Sequence, residues 1–547
     1  MDWNKNLKDY ESRLIKIKPF FKKGKIVSEK NIVTLLETAI KPYDKVCLEG
    51  DNQKQADFLA RCLCSVNPQK IYGLHMLQSA VTLSEHLDLF ERGIAEKIDF
   101  AFAGPQSTRL AIMIQRNQVK IGNIHTYNEL YARYVMDLAP NVALISVEKA
   151  DYHGNLYTGA NTEETPSIVE ATAFKNGLVI VQANEIVRKL PRIDIPGDWV
   201  DAIVKAPSPS YIEPLFTRDP ALIDEVKILM AMMVIKGIYA PYQVNRLNHG
   251  VGFNTCAIEL ILPTYAQSLG LKGKICKHWM VNPLPTLIPA IEAGFIESIF
   301  CVGGEVGMNE FIRSKPDIFF TGRDGSLRSN RLYGQLAGHY GCDVFIGATL
   351  QMDPQANSST ATKGRIAGFG GAPNMGCDTL GRRHSSYAWL KAGQENSHNP
   401  VAMPRGRKLV IQMVETFQGA GKPTFVEKLD AWELQKEMQA DLPPIMIYGD
   451  DISHVVTEEG IANLLLCKNS EEREQAIRGI AGYTPVGLKR DKAIVDELRH
   501  RGIIQRPEDL NISLKEADRD LLAAKNIHDL VEISNGLYSP PNKFRNW

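Results

Sequence analysis

Short apolar runs alternate with amphipathic, helix-like stretches along most of the chain. The runs at 45–48, 98–102, 142–147, 178–182, 298–301, 344–346, 408–413 and 445–448 have the length and the β-branched or aromatic content of strands. Residues 178–181 are apolar without alternation, the pattern of a strand covered on both faces. Strands alternating with helices imply α/β units and mainly parallel sheets. The periodicity fades across the proline-rich stretch 206–214. After it, Asp219–Pro220 offers a helix cap followed by a proline suited to the first helical position. The pattern predicts one helix, ALIDEVKILMAMMVIKG, closing at Gly237. Two α/β domains are therefore expected, 1–215 and 216–547, the second ending in a more helical and charged region beyond about 430.

A length of 547 residues exceeds what one ordinary core holds, which agrees with two large domains. Lys plus Arg equals Asp plus Glu at 63 each, so no global basic field is available for nucleic acid. No apolar run approaches the ~18–20 residues that cross a bilayer, and no membrane role is expected. The N-terminal MDWNKNLKDYESRLIKIKPFFKKGK has no apolar signal core, so a cytoplasmic location is expected. Nine cysteines are scattered without C-x-x-C or zinc spacing, and no metal ligand set is visible. Nine free thiols are the expectation.

The familiar signatures G-x-S-x-G, H-E-x-x-H and G-x-x-x-x-G-K-[ST] are absent, and GAGKPT (419–424) and GGEVG (303–307) read as turns. Three loops hold more interest. In LNHGVGFN (247–254), Gly250 and Gly252 flank Val251 just before a helical run. Backbone N–H groups there could meet a developing negative charge, although an ordinary strand-to-helix turn would read the same. GRIAGFGGAPN (364–374) places Gly368, Gly370 and Gly371 within four positions, either a surface loop or a backbone cradle for an anion. In FFTGRDGSLRSNRLYGQLAGHYG (319–341), Arg323, Arg328 and Arg331 surround Asn330. Arginine suits bidentate recognition of carboxylates, and a solvated helix start is the alternative.

Taken in order, these segments resemble the acetyl-CoA hydrolase and CoA-transferase superfamily. NVALISVEKADYHGNLYTG (141–159) and LVIVQANEIVRKLPR (178–192) are similar to its first-domain strands and D-x-H-G turn. HGVGFN, SLRSN, GFGGAPN and HVVTEEGIANL (454–464) are similar to its later loops and its V-T-E-x-G signature. Within that superfamily, LEGDNQKQADFLA (48–60), KHWMVNPLPTLIPAIEAG (277–294), FFTGRDGSLRSNR (319–331) and RIAGFGGAPNMGCDTLGRRH (365–384) resemble the malonate decarboxylase α-subunit family.

The resemblance implies two CoA-transferase-like α/β domains with mainly parallel sheets flanked by helices. It implies a transferase that moves an acyl carrier protein thiol from acetate to malonate. The expected partners are a carrier protein subunit and carboxyltransferase-like decarboxylase subunits. No permanently bound cofactor is expected; the reacting thioester sits on the carrier's phosphopantetheine-type (dephospho-CoA-derived) group, with acetyl-CoA as a surrogate. By the same resemblance, the backbone at Val251, the backbone near Gly371 and the Asn330 side chain would hold the oxyanion. Gly250, Gly252 and Gly370 would line the substrate, and Arg323 or Arg328 would take malonate's second carboxylate. His249 and His278 are further candidates. One departure stands out: CoA-transferases carry a catalytic Glu in an H-T-E-M segment, and the corresponding 277–283 reads KHWMVNP, with no acid. Glu292 and Glu305, the nearest acids, lie in other contexts. Malonate's own carboxylate can serve as the attacking acid instead. A CoA-transferase or citrate-lyase-type subunit for another acid, and a non-catalytic scaffold, are the alternatives.

Overall fold

The computed structural model describes residues 4–51, 53–215, 219–396, 405–524, 526–545 and 547. Ten strands before residue 206 form one sheet. Its spatial order is Phe21–Lys23, Ile26–Val27, Ala202–Lys205, Leu178–Val187, Val142–Asp151, Lys45–Leu48, Leu74–Ala80, Ala95–Phe102 and Lys120–Ile124, with Leu156–Tyr157 paired beside Val142–Asp151. Apart from the first pair and Leu156–Tyr157, the pairings are parallel. Residues 178–183 are buried throughout, because helices cover the sheet on both faces and divide its core into two clusters.

A second sheet of eight strands has the order Ser298–Cys301, His278–Val281, Arg246–His249, Val344–Gly347, Leu409–Met413, His454–Thr457, Gly460–Asn463 and Ile504–Gln505. The first six run parallel and the last two pairings are antiparallel. The architecture is α/β with mainly parallel sheets flanked by helices. Among the described residues no helix is long and apolar enough to cross a membrane.

The expected division at 215/216 abuts residues 216–218, which lie outside the described residues. The two halves do not keep separate cores. Ala361, Ile366, Leu434 and Met438, all from the second, pack into the core of the first.

Two local expectations need correction. Asp219 caps only a short 3-10 turn, Pro220–Leu222; Asp224 caps the helix Glu225–Val234. Gly237 does not close it. The chain continues through a π turn, Ile235–Tyr239, and stops at Gln243 in the left-handed region. Gly237 is needed for close approach instead, since a Cβ there would lie 2.5 Å from Ile461 Cδ1. Residues 445–448 form no strand: Ile447 makes a single bridge to Ser358 before the chain turns at Gly449.

One motif occurs twice. Asp151 Oδ1 accepts from the N–H groups of His153 and Asn155, and Oδ2 from the Asn155 amide. Asp353 does the same with Gln355 and Asn357. Each Asn then accepts, at 2.9 Å, from the N–H of a glycine, Gly197 or Gly449, that opens a 3-10 turn before a strand. A Cβ on either glycine would run into the carbonyl of His153 or Gln355. The two halves thus share one structural device.

Candidate functional site

The C-terminal ends of parallel strands are where α/β sheets usually place their chemistry. In the second sheet this edge carries the loop 250–252 after Arg246–His249, Asn282 after His278–Val281, and the turn 303–307 after Ser298–Cys301.

Gly250 donates to Ile346 O at 2.7 Å and packs against Gly347, which leaves little room for a Cβ. The Thr255 hydroxyl lies within reach of the carbonyls of Gly250 (2.6 Å) and Gly252 (2.9 Å). The loop's oxygens are therefore turned back into the helix start. Among the described residues, the N–H groups of Val251 and Gly252 have no acceptor. Val251 is 38% exposed, so the loop lies at the surface.

Asn330 caps the helix Arg331–Tyr340, its Oδ1 accepting from Tyr333 N at 2.9 Å. That bond fixes the amide's orientation and leaves Nδ2 without an acceptor among the described residues. Gly371 starts the short helix Ala372–Met375, and a Cβ on it would strike the Gln335 amide. Gly370 fares differently from the expectation for a cradle. It spends its N–H on the Ala101 carbonyl at 2.8 Å and accepts from Tyr127, so its N–H is not available to an anion. The 368–370 segment, with Gly368 and Gly370 both at positive φ, is a clasp onto the strand Ala95–Phe102 of the first half.

Of the arginines, Arg331 is the buried one. Its guanidinium contacts Asp51 and lies 2.7 Å from Glu163 Oε2, and it stacks 4.5 Å from the Tyr127 ring centre. Arg328 is half exposed and 3.5 Å from Asp194. Arg323 is exposed. Glu163 also accepts from Gly304 N at 3.1 Å, and Thr162 N donates to Ser329 Oγ. The segment 161–165 of the first half is thereby bound to 303–304 and 329–331 of the second. Glu163 is buried in a left-handed backbone, φ 48°, a conformation kept at a structural cost where a site requires it. Burial pushes its carboxyl up to about 7 against the pull of Arg331. Burial pushes neighbouring Glu164, whose Oε1 accepts from Ser79, up to about 8. Asn282 Oδ1 is buried with no partner among the described residues, on the same side of Gly303 as Glu163.

Glu305 is buried, with Oε1 accepting from Val306 N. Glu292 pairs with Lys315 at 3.0 Å on the surface. His278 bonds Ser298 Oγ at 2.9 Å, and His249 lies beneath the 250–252 loop. Asp51, Glu163 and Asn282 were not singled out from the sequence. The only local signal was a charged pair, Glu163–Glu164, inside a stretch bounded by apolar strands.

Comparison with known proteins identifies the family. Residues 2–547 match the family described as malonate decarboxylase, alpha subunit, transporter. The acetyl-S-ACP:malonate ACP transferase of Malonomonas rubra is 56% identical, with 100% of this chain and 99% of that protein aligned. A Pseudomonas malonate decarboxylase hetero-tetramer, solved in complex with malonate, contains a chain of 56% identity that superposes with a TM-score of 0.96, covering 100% of this chain and 99% of that one. At 15% identity and a TM-score of 0.54, an acyl-CoA transferase from Escherichia coli O157:H7 shares the fold over 81% of this chain and 88% of its own. The chain belongs to the malonate decarboxylase alpha-subunit family.

Proposed function

We propose that the protein is an acetyl-S-ACP:malonate ACP transferase, converting acetyl-S-ACP and malonate into malonyl-S-ACP and acetate. The observation that carries this is 56% identity, end to end, with a protein of that name. The open amides of Val251 and Gly252 at the sheet's C-terminal edge are the geometry it needs.

One malonate carboxylate attacks the acetyl thioester carbonyl; the C–S bond breaks and the carrier thiolate leaves. The thiolate then attacks the malonyl carbonyl of the mixed anhydride, and acetate departs with the bridging oxygen. No proton is gained or lost overall. Each tetrahedral oxyanion takes hydrogen bonds from Val251 N–H, the backbone near Gly371 and Asn330 Nδ2, each worth about 3 kcal/mol when well aimed. Arg323, which has no acidic partner among the described residues, takes the distal carboxylate, and Arg328 shares its charge with Asp194. The segment 277–283 holds no acid, so malonate supplies the attacking carboxylate.

The thiol belongs to the carrier's prosthetic group, and the chain works in the cytoplasm within a complex that includes the carrier and decarboxylase subunits. The hetero-tetrameric relative supports such an assembly. Incubating purified protein with acetyl-carrier and labelled malonate should give labelled carrier thioester. A preference for citrate, or no transfer at all, would refute the proposal.

A further inference from the structure

Only three residues join the strand Arg246–His249 to the helix Phe253–Ile261. Two are glycines, and glycine gives the backbone freedom without any side chain to restrict it. The loop's shape must be imposed from beneath. His249 points inward, its ring edge-on to Trp279 at 4.6 Å between centroids. Its Nδ1 lies 3.1 Å from Glu259 Oε1, in the second turn of the helix, and its Nε2 lies 2.9 Å from the Tyr239 hydroxyl. The other Glu259 oxygen accepts from the Thr286 hydroxyl. None of the four side chains is more than 3% exposed.

The proton positions follow from the partners. Tyr239 is buried and its hydroxyl has no other acceptor among the described residues, so it donates to Nε2. Nδ1–H then donates to the Glu259 carboxylate. Burial and the nearby Cys276 and Glu259 hold the Tyr239 hydroxyl well above its usual range, so it stays protonated. A π turn adjoins each of the two flanking helices. Tyr239 closes the π turn Ile235–Tyr239, and a second π turn, Leu262–Ala266, follows the helix that carries Glu259. Such turns recur at functional sites.

We infer that Tyr239, His249 and Glu259 are positioning residues for the oxyanion loop, an inference that rests on the transferase reading above. They tie the strand end to the helix across 250–252, so that the Val251 and Gly252 amides stay turned outward. Because those amides act on the tetrahedral state, loosening them lowers kcat and leaves KM for malonate nearly unchanged.

The test uses the full chain in the labelled-malonate assay together with hydrogen–deuterium exchange. Tyr239→Phe should lower kcat about 5–20-fold, and His249→Ala about 10²-fold, the range of one misplaced oxyanion donor. His249→Asn, which keeps a donor toward Glu259, should recover part of that loss. Ser453→Ala is the control: Ser453 bonds Val410 N and O at 2.8 and 2.9 Å near the opposite ends of the strands. It should lower Tm and leave kcat unchanged. The bonded amides of 247–250 should exchange faster in Tyr239→Phe, with no change in residues 1–215. Unchanged loop exchange would overturn the network whatever the assay shows, as would a kcat that follows Tm alike in every variant. No transfer by the wild-type protein would instead overturn the transferase reading by itself.

Discussion

Replacing Asn330 by serine keeps one of its two hydrogen-bonding roles and removes the other. Its Oδ1 caps the helix Arg331–Tyr340 through Tyr333 N, and serine caps about as well as asparagine. Its Nδ2 is the proposed oxyanion donor, which serine cannot place at the same reach. Loss of that donor costs about 3 kcal/mol of transition-state stabilisation, roughly 10²-fold in kcat. Asn330→Ala removes the cap as well, about 1 kcal/mol, or about 1–2 °C in Tm for a chain segment of this size. The expected pattern is an equal, large loss of kcat in both variants, with Tm lowered only in Asn330→Ala. Steady-state transfer from acetyl-carrier to malonate gives the first quantity and a thermal melt the second. If Asn330→Ser kept kcat within threefold of wild type, Asn330 would be a helix cap alone.

Two further outcomes follow from the buried charges that join 161–165 to 329–331. Arg331→Met leaves Asp51 and Glu163 facing each other in a buried site and should destabilise by about 3–5 kcal/mol in a denaturant titration; a loss under 1 kcal/mol would mean the contact is solvent-screened. Glu164 has a folded value, about 8, above that of the unfolded chain, so its contribution is favourable at low pH and is lost as pH rises toward 8. Glu164→Gln should therefore gain stability relative to wild type between pH 5.5 and 8.5, and a relative loss over that range would reverse the assigned direction.

Local pattern made much of the framework legible. The runs 45–48 and 298–301 coincide with strands because each is short, apolar and bounded by loops. The long helix misled because glycine reads as a stop, whereas Gly237 sits inside a π turn for close packing against Ile461. Residues 445–448 look like a strand but pair at one residue only, since Gly449 must approach the Gln355 carbonyl. The turn at 353–357 repeats the one at 151–155, yet only Asp and Asn four positions apart mark the likeness. The glycine loops were visible at the site. The partnership of Arg331 with Glu163, 168 residues away, was not, because sequence spacing carries no sign of which buried charges meet. Gly370 shows the converse: its glycine pattern fitted a surface loop or an anion cradle, and its N–H bonds the Ala101 carbonyl of the first sheet.

The central claim is that malonate itself attacks the thioester, with no carboxylate of the enzyme intervening. A single turnover with acetyl-carrier and malonate carrying oxygen-18 in its carboxylates tests it most directly. Direct attack moves one malonate oxygen into the departing acetate, so the first acetate released should carry one oxygen-18 while the carrier becomes malonylated. First-turnover acetate without the label, accompanied by an acyl or thioester adduct on a glutamate such as Glu163 or Glu305, would contradict it.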